Sequence, residues 1–317
     1  MTKEKFMTNT IVVWIGALLC CALWGSAFPC IKIGYELFDI ASDETSAQIL
    51  FAGCRFFLAG ILAVIIGSII YRKPLIPKRE SWGKIGELSL LQTVAQYFFF
   101  YVGLAHTTGV KASIVEALNV FVAVIVAALI YKQEKLTANK VVGCIIGFVG
   151  VLIINLWGSG AEAGIGAIGS GFQFMGEGFI FLSTVAYAFS SIYLKRFSKD
   201  EEPFVLSGYQ FMIGGIILMA AGALMGGSKD IQWSISPQAI GMLVYLAMIS
   251  AVAYSLWGVL LKYNSVSKVA VFGFMNPVFG VFLSAILLKE SNDMSIGVIT
   301  VSLLLVVAGT LLAQKKA

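Results

Sequence analysis

Glu116 and Asn119 stand inside an otherwise apolar run, Gly109–Glu134, and Arg55 stands inside another, Phe51–Gly60. A charge at the centre of a bilayer costs roughly 3 kcal/mol on the mildest scale, so it faces a cavity or a partner. The two residue types suggest a definite chemistry. A guanidinium holds a carboxylate through paired hydrogen bonds, and a buried carboxylate holds an ammonium or a proton. Together Arg55 and Glu116 would bind a zwitterion. The alternative is a buried ion pair locking the second helix to the fourth. Both readings hold if cargo breaks the pair.

Other side chains could join them. Asn119 lies three residues after Glu116, on the same helical face. Ser267–Glu290 repeats the pattern: Lys111 and Asn119 align with Lys268 and Asn276 at an offset of 157, and after a one-residue slip Glu134 falls opposite Glu290. Each Asn either bonds a neighbouring helix or touches cargo. Pro277 removes one helical hydrogen bond and gives a kink or a flexible joint. Trp24, Tyr97, Tyr187, Tyr254 and Trp257 stack on cargo or pack against one another. Gln92 and Gln96 share a face of the third helix that should point inward. Ser26 and Gln210 complete the polar candidates. His106, the one histidine, sits at a helix end. Lys32, Lys111, Lys195 and Lys268 lie at helix ends and are expected to snorkel to the interface. Gly143 and Gly147 make either a dimer face or a close contact within the chain.

These residues need helices in lipid to position them. The chain has 317 residues, 59% hydrophobic and 12% charged, with mean hydropathy +0.90. A soluble domain carries about 25% charged residues, so the composition indicates an all-α integral membrane protein. Spans of about 20 apolar residues fall at 11–34, 47–70, 84–105, 109–131, 139–157, 174–195, 204–224, 239–261, 267–288 and 294–313. Ile11–Gly34 has no small-residue cleavage site and reads as a retained helix. With the N-terminus inside, 17 of the 22 Lys and Arg residues fall at the inner face and 4 at the outer, with Arg55 in the membrane. The positive-inside rule therefore puts both termini in the cytoplasm. Five cysteines in apolar runs form neither a disulfide framework nor a zinc site.

The spans divide into two halves, 1–157 and 174–317, joined by a Gly- and Ala-rich outer linker, 158–173. Trp24–Lys32 lines up with Tyr187–Lys195, Phe51–Gly60 with Leu206–Gly215, and Tyr97 with Tyr254. Five spans per half is an odd number, so the second half inserts upside down. Inverted repeats of this kind build secondary transporters with a central site. Counting about 1.5 Å per residue, Glu116 and Arg55 lie roughly 10–12 Å from the outer face. Tyr187, Gln210, Tyr254 and Asn276 lie roughly 9–14 Å from the inner one. In a core about 30 Å thick, both belts flank the midplane and should line one chamber.

Ten helices in two repeats resemble the drug/metabolite transporter superfamily, specifically its EamA-type members. The resemblance rests on Leu23-Trp24-Gly25-Ser26-Ala27-Phe28, on Phe51–Gly60 with Arg55, on Ala253-Tyr254-Ser255-Leu256-Trp257, and on Asn276-Pro277-Val278-Phe279 with Glu290. It covers almost the whole chain. It implies that helices 1–4 and 6–9 surround a central cavity, with 5 and 10 peripheral. It also implies small polar or amphipathic metabolites as cargo, moved by alternating access. Val120 stands near where the family often has a proline, so helix 4 is expected to be straighter than helix 9. Glu134-Lys-Leu-Thr137 fits the family's end of helix 4, and Glu290-Ser-Asn-Asp293 fits the end of helix 9 only in part. Glu116 is not a family hallmark.

The expected function is secondary transport of a small metabolite across the cytoplasmic membrane. An amino acid or similar zwitterion is the first cargo to consider, export the direction, and protons or the cargo gradient the motive force. Two alternatives stand beside it. One is a receptor or assembly subunit with a packed interior. The other is a transporter of sugar-phosphate or nucleotide-type cargo, which needs several bases in the cavity. A P-loop, H-E-x-x-H and G-x-S-x-G are all missing from the sequence, so an enzyme is not expected. Neither a cofactor, a metal nor nucleic acid is expected as a partner; the bilayer and the cargo are. The sequence leaves monomer and dimer both open.

Overall fold

The computed structural model describes residues 3–41, 43–107, 109–157, 172–227, 236–287 and 296–315. The expected linker 158–173 lies mostly outside the described residues, as do Lys229, Lys289 and Glu290. The described chain is helical, with no strand among those residues. A chain this apolar has no water to satisfy its backbone, and a helix satisfies the backbone from within.

A short helix, Lys3–Met7, precedes ten helical segments among the described residues. In the first half, α1 is Thr10–Leu37, α2 is Thr45–Tyr71, α3 covers 82–105, α4 covers 109–130 and α5 is Ala138–Trp157. In the second, α6 is Phe174–Phe197, α7 is Pro203–Leu224, α8 is Pro237–Tyr263, α9 covers 266–287 and α10 is Ile296–Gln314. Six of them, α1, α2, α6, α7, α8 and α10, are long and apolar enough to cross a bilayer. α4, α5 and α9 carry shorter apolar stretches. Asn9 caps α1 by accepting a hydrogen bond from the Ile11 N–H at 2.9 Å. Pro203 and Pro237 open α7 and α8 at positions where a missing N–H costs nothing.

Three segments are irregular. α3 takes π geometry over Ser89–Ala95. α9 passes through a tight 3-10 stretch, Val271–Phe274, just before Pro277. α4 is irregular as well as α9, although no proline marks it: it breaks between Ala117 and Asn119 and ends in a π turn, Val126–Ile130. The Leu118 N–H reaches the Val115 carbonyl, three residues back, at 3.0 Å. The helix thus tightens there without a proline.

Glycines set the closest crossings. A side-chain carbon on Gly60 would lie 2.5 Å from the Gly208 carbonyl oxygen, and one on Gly215 would lie 2.5 Å from the Phe57 nitrogen. α2 and α7 therefore meet backbone to backbone, as small residues in membrane helices allow. α5 and α10 do the same: a carbon on Gly143 would lie 2.5 Å from the Gly309 oxygen. Gly143 and Gly147 thus serve a contact within the chain. α1 packs on α8 and α9, while α6 packs on α3 and α4. Advancing every label by five maps each of these pairs onto another pair or onto itself.

Candidate functional site

A cavity of about 270 Å³ lies among α1, α2, α3, α4, α6, α8 and α9. α5 and α10 stay outside it, as the resemblance implies, and so does α7, which departs from that expectation. Lys32 and Tyr35, near the end of α1, and Leu104, near the end of α3, line the cavity on the side away from the chain termini.

The structure brings nine of the twelve candidate residues to this cavity: Trp24 from α1, Arg55 from α2, Gln96 and Tyr97 from α3, Glu116 and Asn119 from α4, Tyr187 from α6, Tyr254 from α8 and Asn276 from α9. The other three stand behind the wall. Ser26 Oγ donates to the Leu23 carbonyl at 2.8 Å and pairs with the Tyr245 hydroxyl at 3.1 Å. Gln210 is fully buried; its Nε2 donates to Gln92 Oε1 at 2.7 Å and its Oε1 accepts from Thr93 Oγ1 at 3.1 Å. Trp257 packs edge-on against Trp24, ring centres 5.0 Å apart. Depth along a helix places a residue at a level, and these three share the level without sharing the face.

Arg55 and Glu116 both line the cavity, and they do not pair with each other. The reading as an interhelical ion pair is thereby corrected. The Arg55 guanidinium is buried and anchored on α8 instead. Its Nε donates to the Leu246 carbonyl at 3.3 Å and an Nη donates to Ser250 Oγ at 2.9 Å. A guanidinium has five N–H groups, so others remain for an anion. Glu116 has neither a hydrogen bond nor an ion pair among the described residues. Trp24 Nε1, Gln96 Oε1 and Asn276 Oδ1 are also buried without a hydrogen-bond partner. Such groups are uncommon in folded proteins and call for an explanation. Three of them around one cavity, beside the half-buried Glu116 carboxylate, suit a polar ligand.

Aromatic rings hold the centre together. The Tyr97 and Tyr254 hydroxyls meet at 2.6 Å. Tyr254 packs edge-on against Trp24 and Phe211, each pair of ring centres 5.0 Å apart. Phe56 lies under Tyr97 at 4.3 Å and beside the Arg55 guanidinium at 5.1 Å.

The structure places three of the helix-end lysines. Lys32 is exposed and borders the cavity. Lys195 donates to the Leu261 carbonyl at 3.0 Å and to the Asn264 carbonyl. Lys268 donates to Asn264 Oδ1 at 3.1 Å and to the Thr8 carbonyl at 3.3 Å. Sequence reasoning missed Tyr35, Tyr101, Ser183 and Thr184 in the cavity wall. Tyr101 lies one turn past Tyr97, and Ser183 one turn before Tyr187, so the faces of α3 and α6 carried the signal.

The EamA-like transporter family model matches this chain twice, over residues 11–156 and 174–313. The chain belongs to that family, a branch of the drug/metabolite transporters. It is 25% identical to the uncharacterized transporter YvbV of Bacillus subtilis, over 93% of this chain and 88% of that one. An uncharacterized transporter of Archaeoglobus fulgidus is 27% identical, over 87% and 90%. The uncharacterized inner membrane transporter YedA of Escherichia coli is 24% identical, over 93% and 90%. One crystal structure shares the fold at a TM-score of 0.72 and 17% identity, over 96% of this chain and 97% of its own. The protein is a multi-pass membrane transporter whose cargo is a small molecule.

Proposed function

We propose that this chain is a secondary transporter of an amino acid or similar zwitterion, working by alternating access from a central site. Its ten segments act as spans in two inverted repeats, 1–157 and 174–317, joined by 158–173. Both termini lie in the cytoplasm, and net movement is export across the cytoplasmic membrane. The cargo carboxylate rests on the free N–H groups of Arg55, and its ammonium faces Glu116. Trp24, Tyr97, Tyr187 and Tyr254 enclose the side chain, and Gln96, Asn119 and Asn276 offer hydrogen bonds. Ser26, Gln210 and Trp257 hold those residues in place.

One observation carries the reading: a cavity of about 270 Å³ presents a partnerless carboxylate and an incompletely used guanidinium on different helices. That is close to the lower end of ligand pockets, about 300 Å³, and so favours a small metabolite over a nucleotide. A packed receptor bundle would have no such chamber. Further support for inversion comes from the label-by-five symmetry of the packing and from the Tyr97–Tyr254 contact at equivalent places in the halves. Flux into proteoliposomes, measured across a panel of amino acids with and without a pH gradient, tests the proposal. Saturable flux of one or more zwitterions is expected. No flux with any of them overturns it.

A further inference from the structure

Beside the main cavity lies a second, of about 10 Å³, between α1, α4 and α9. It is lined by Glu116, Asn119, Gly273, Asn276 and Pro277, with Phe28 and Ala117 as apolar neighbours. A space of this size holds one water or one small ion.

The chemistry of the lining separates those two. Glu116 offers carboxylate oxygens and has no partner among the described residues. Asn276 Oδ1 is buried with no hydrogen bond. Asn119 Oδ1 lies 3.4 Å from where a side-chain carbon on Gly273 would stand, so it borders the same space. Pro277 has no N–H to give to the Gly273 carbonyl, the acceptor four residues back; the Met275 N–H is shared between that carbonyl and the Phe272 one, which leaves the Gly273 oxygen a lone pair. The four oxygens of these groups are more acceptors than the two protons of a single water can serve. One carboxylate among neutral oxygens suits a hard monovalent cation. Calcium usually draws several carboxylates, and magnesium gives up its water reluctantly.

The backbone supports the same reading. α4 breaks at Leu118 and α9 tightens over Val271–Phe274. Asn119 directly follows the first break and Asn276 lies two residues past the second; the pair is offset by 157 in sequence. Each lies ten residues past the start of its helix, or roughly 15 Å, which is mid-membrane. Interrupted helices at that depth bind coupling ions in other carriers.

We infer that the crevice between the broken parts of α4 and α9 is a sodium site, with oxygen ligands from Glu116, Asn119, Asn276 and the Gly273 carbonyl. Glu116 also lines the main cavity. In the transport reading proposed above, on which this consequence rests, sodium and a cargo ammonium compete for one carboxylate. Competition of that kind makes the ion and the cargo exchange.

The test starts without cargo. Purified full-length protein is melted in NaCl, KCl and choline chloride at equal ionic strength. Sodium alone is expected to raise the Tm, because an ion that binds only the folded chain stabilises it. Asn276→Ala and Glu116→Gln are expected to need at least about tenfold more NaCl for half the effect, a loss of about 1.4 kcal/mol. Asn276→Asp keeps an oxygen and is expected to retain the response. If Asn276→Ala does not fold, Glu116→Gln and Asn119→Ala carry the comparison. An equal response to all three salts overturns the site and leaves the crevice to water. So does an unchanged sodium response in folded variants. Zwitterion flux that persists without sodium, together with no sodium stabilisation, sinks the ion site and leaves the proposed function. Sodium stabilisation with no zwitterion flux does the reverse.

Discussion

Arg55 is buried to 3% exposure, yet its guanidinium keeps donors in hand after binding Leu246 and Ser250. Lysine is a point charge that cannot reproduce this fork. Arg55→Lys should therefore fold but weaken cargo binding by about ten- to a hundredfold, the equivalent of roughly 1.4–2.8 kcal/mol. Concentration-dependent flux in proteoliposomes checks it: a wild-type half-saturation removes Arg55 from cargo contact. Glu116→Gln keeps the shape and removes the charge, so amino acids should lose most of their flux while uncharged analogues lose little. If Glu116→Gln folds and transports normally with unchanged pH dependence, both the cargo and the proton role of Glu116 fail. These two residues were legible because charge in an apolar run is costly. The partners of Arg55 were not, since Ser250 and the Leu246 carbonyl stand out in no sequence. Ser26, Gln210 and Trp257 were grouped with the cavity residues because counting along a helix gives depth and says little of azimuth. Gln210 bonds Gln92 and Thr93 within the packed wall.

At the scale of helices, the Gly60–Gly208 crossing makes a sharp prediction. A methyl on Gly60 would meet the Gly208 carbonyl at 2.5 Å, and backbone cannot step aside as a flexible side chain does. Gly60→Ala should destabilise the protein by about 1–3 kcal/mol, the usual cost of overpacking. Gly83 and Gly86, in the first turns of α3, would meet nothing within 4 Å. Ala at either should be neutral or stabilising by up to about 1 kcal/mol, through helix propensity. Thermal melting in detergent compares them; equal loss at Gly60 and Gly86 would contradict the crossing. The helices were largely legible from apolar runs of the right length. The break at Leu118 was not, because neither proline nor glycine marks it. The same holds for the π turns at Ser89–Ala95 and Val126–Ile130, which are set by packing. In α9 the break was half legible, since Pro277 shows in the sequence and the 3-10 stretch before it does not.

Across the whole molecule, the cavity reaches toward one face while the face bearing the termini is tied shut. Glu134, after α4, accepts from Lys140 at the start of α5 at 2.7 Å and from the Ser267 N–H at the start of α9 at 3.0 Å. Burial alone raises the Glu134 pKa, but the hydrogen bonds from Lys140 and Ser267 outweigh it and hold the carboxyl below its usual value. The tie is therefore complete above the unfolded-state pKa, about 4.3. It is lost as the pH falls through the lower folded value. Behind it, between this face and the cavity, Cys21 is fully buried and donates to the Phe272 carbonyl at 3.2 Å. The alternating-access cycle proposed above requires this layer to part, so under that proposal weakening the tie should shift the population toward the opposite opening. Glu134→Gln is expected to speed labelling of Cys21 by a membrane-impermeant thiol reagent from the terminus side, by about fivefold or more if the shift exceeds 1 kcal/mol. The background is Cys20, Cys30, Cys54 and Cys144 changed to Ser. Acidification below about pH 4 should weaken the same tie in the unsubstituted background. If Glu134→Gln leaves Cys21 as slow to react as before, while flux is also unchanged, the cluster is a rim contact and the barrier on this face lies deeper, among the packed rings around Trp257 and Phe272.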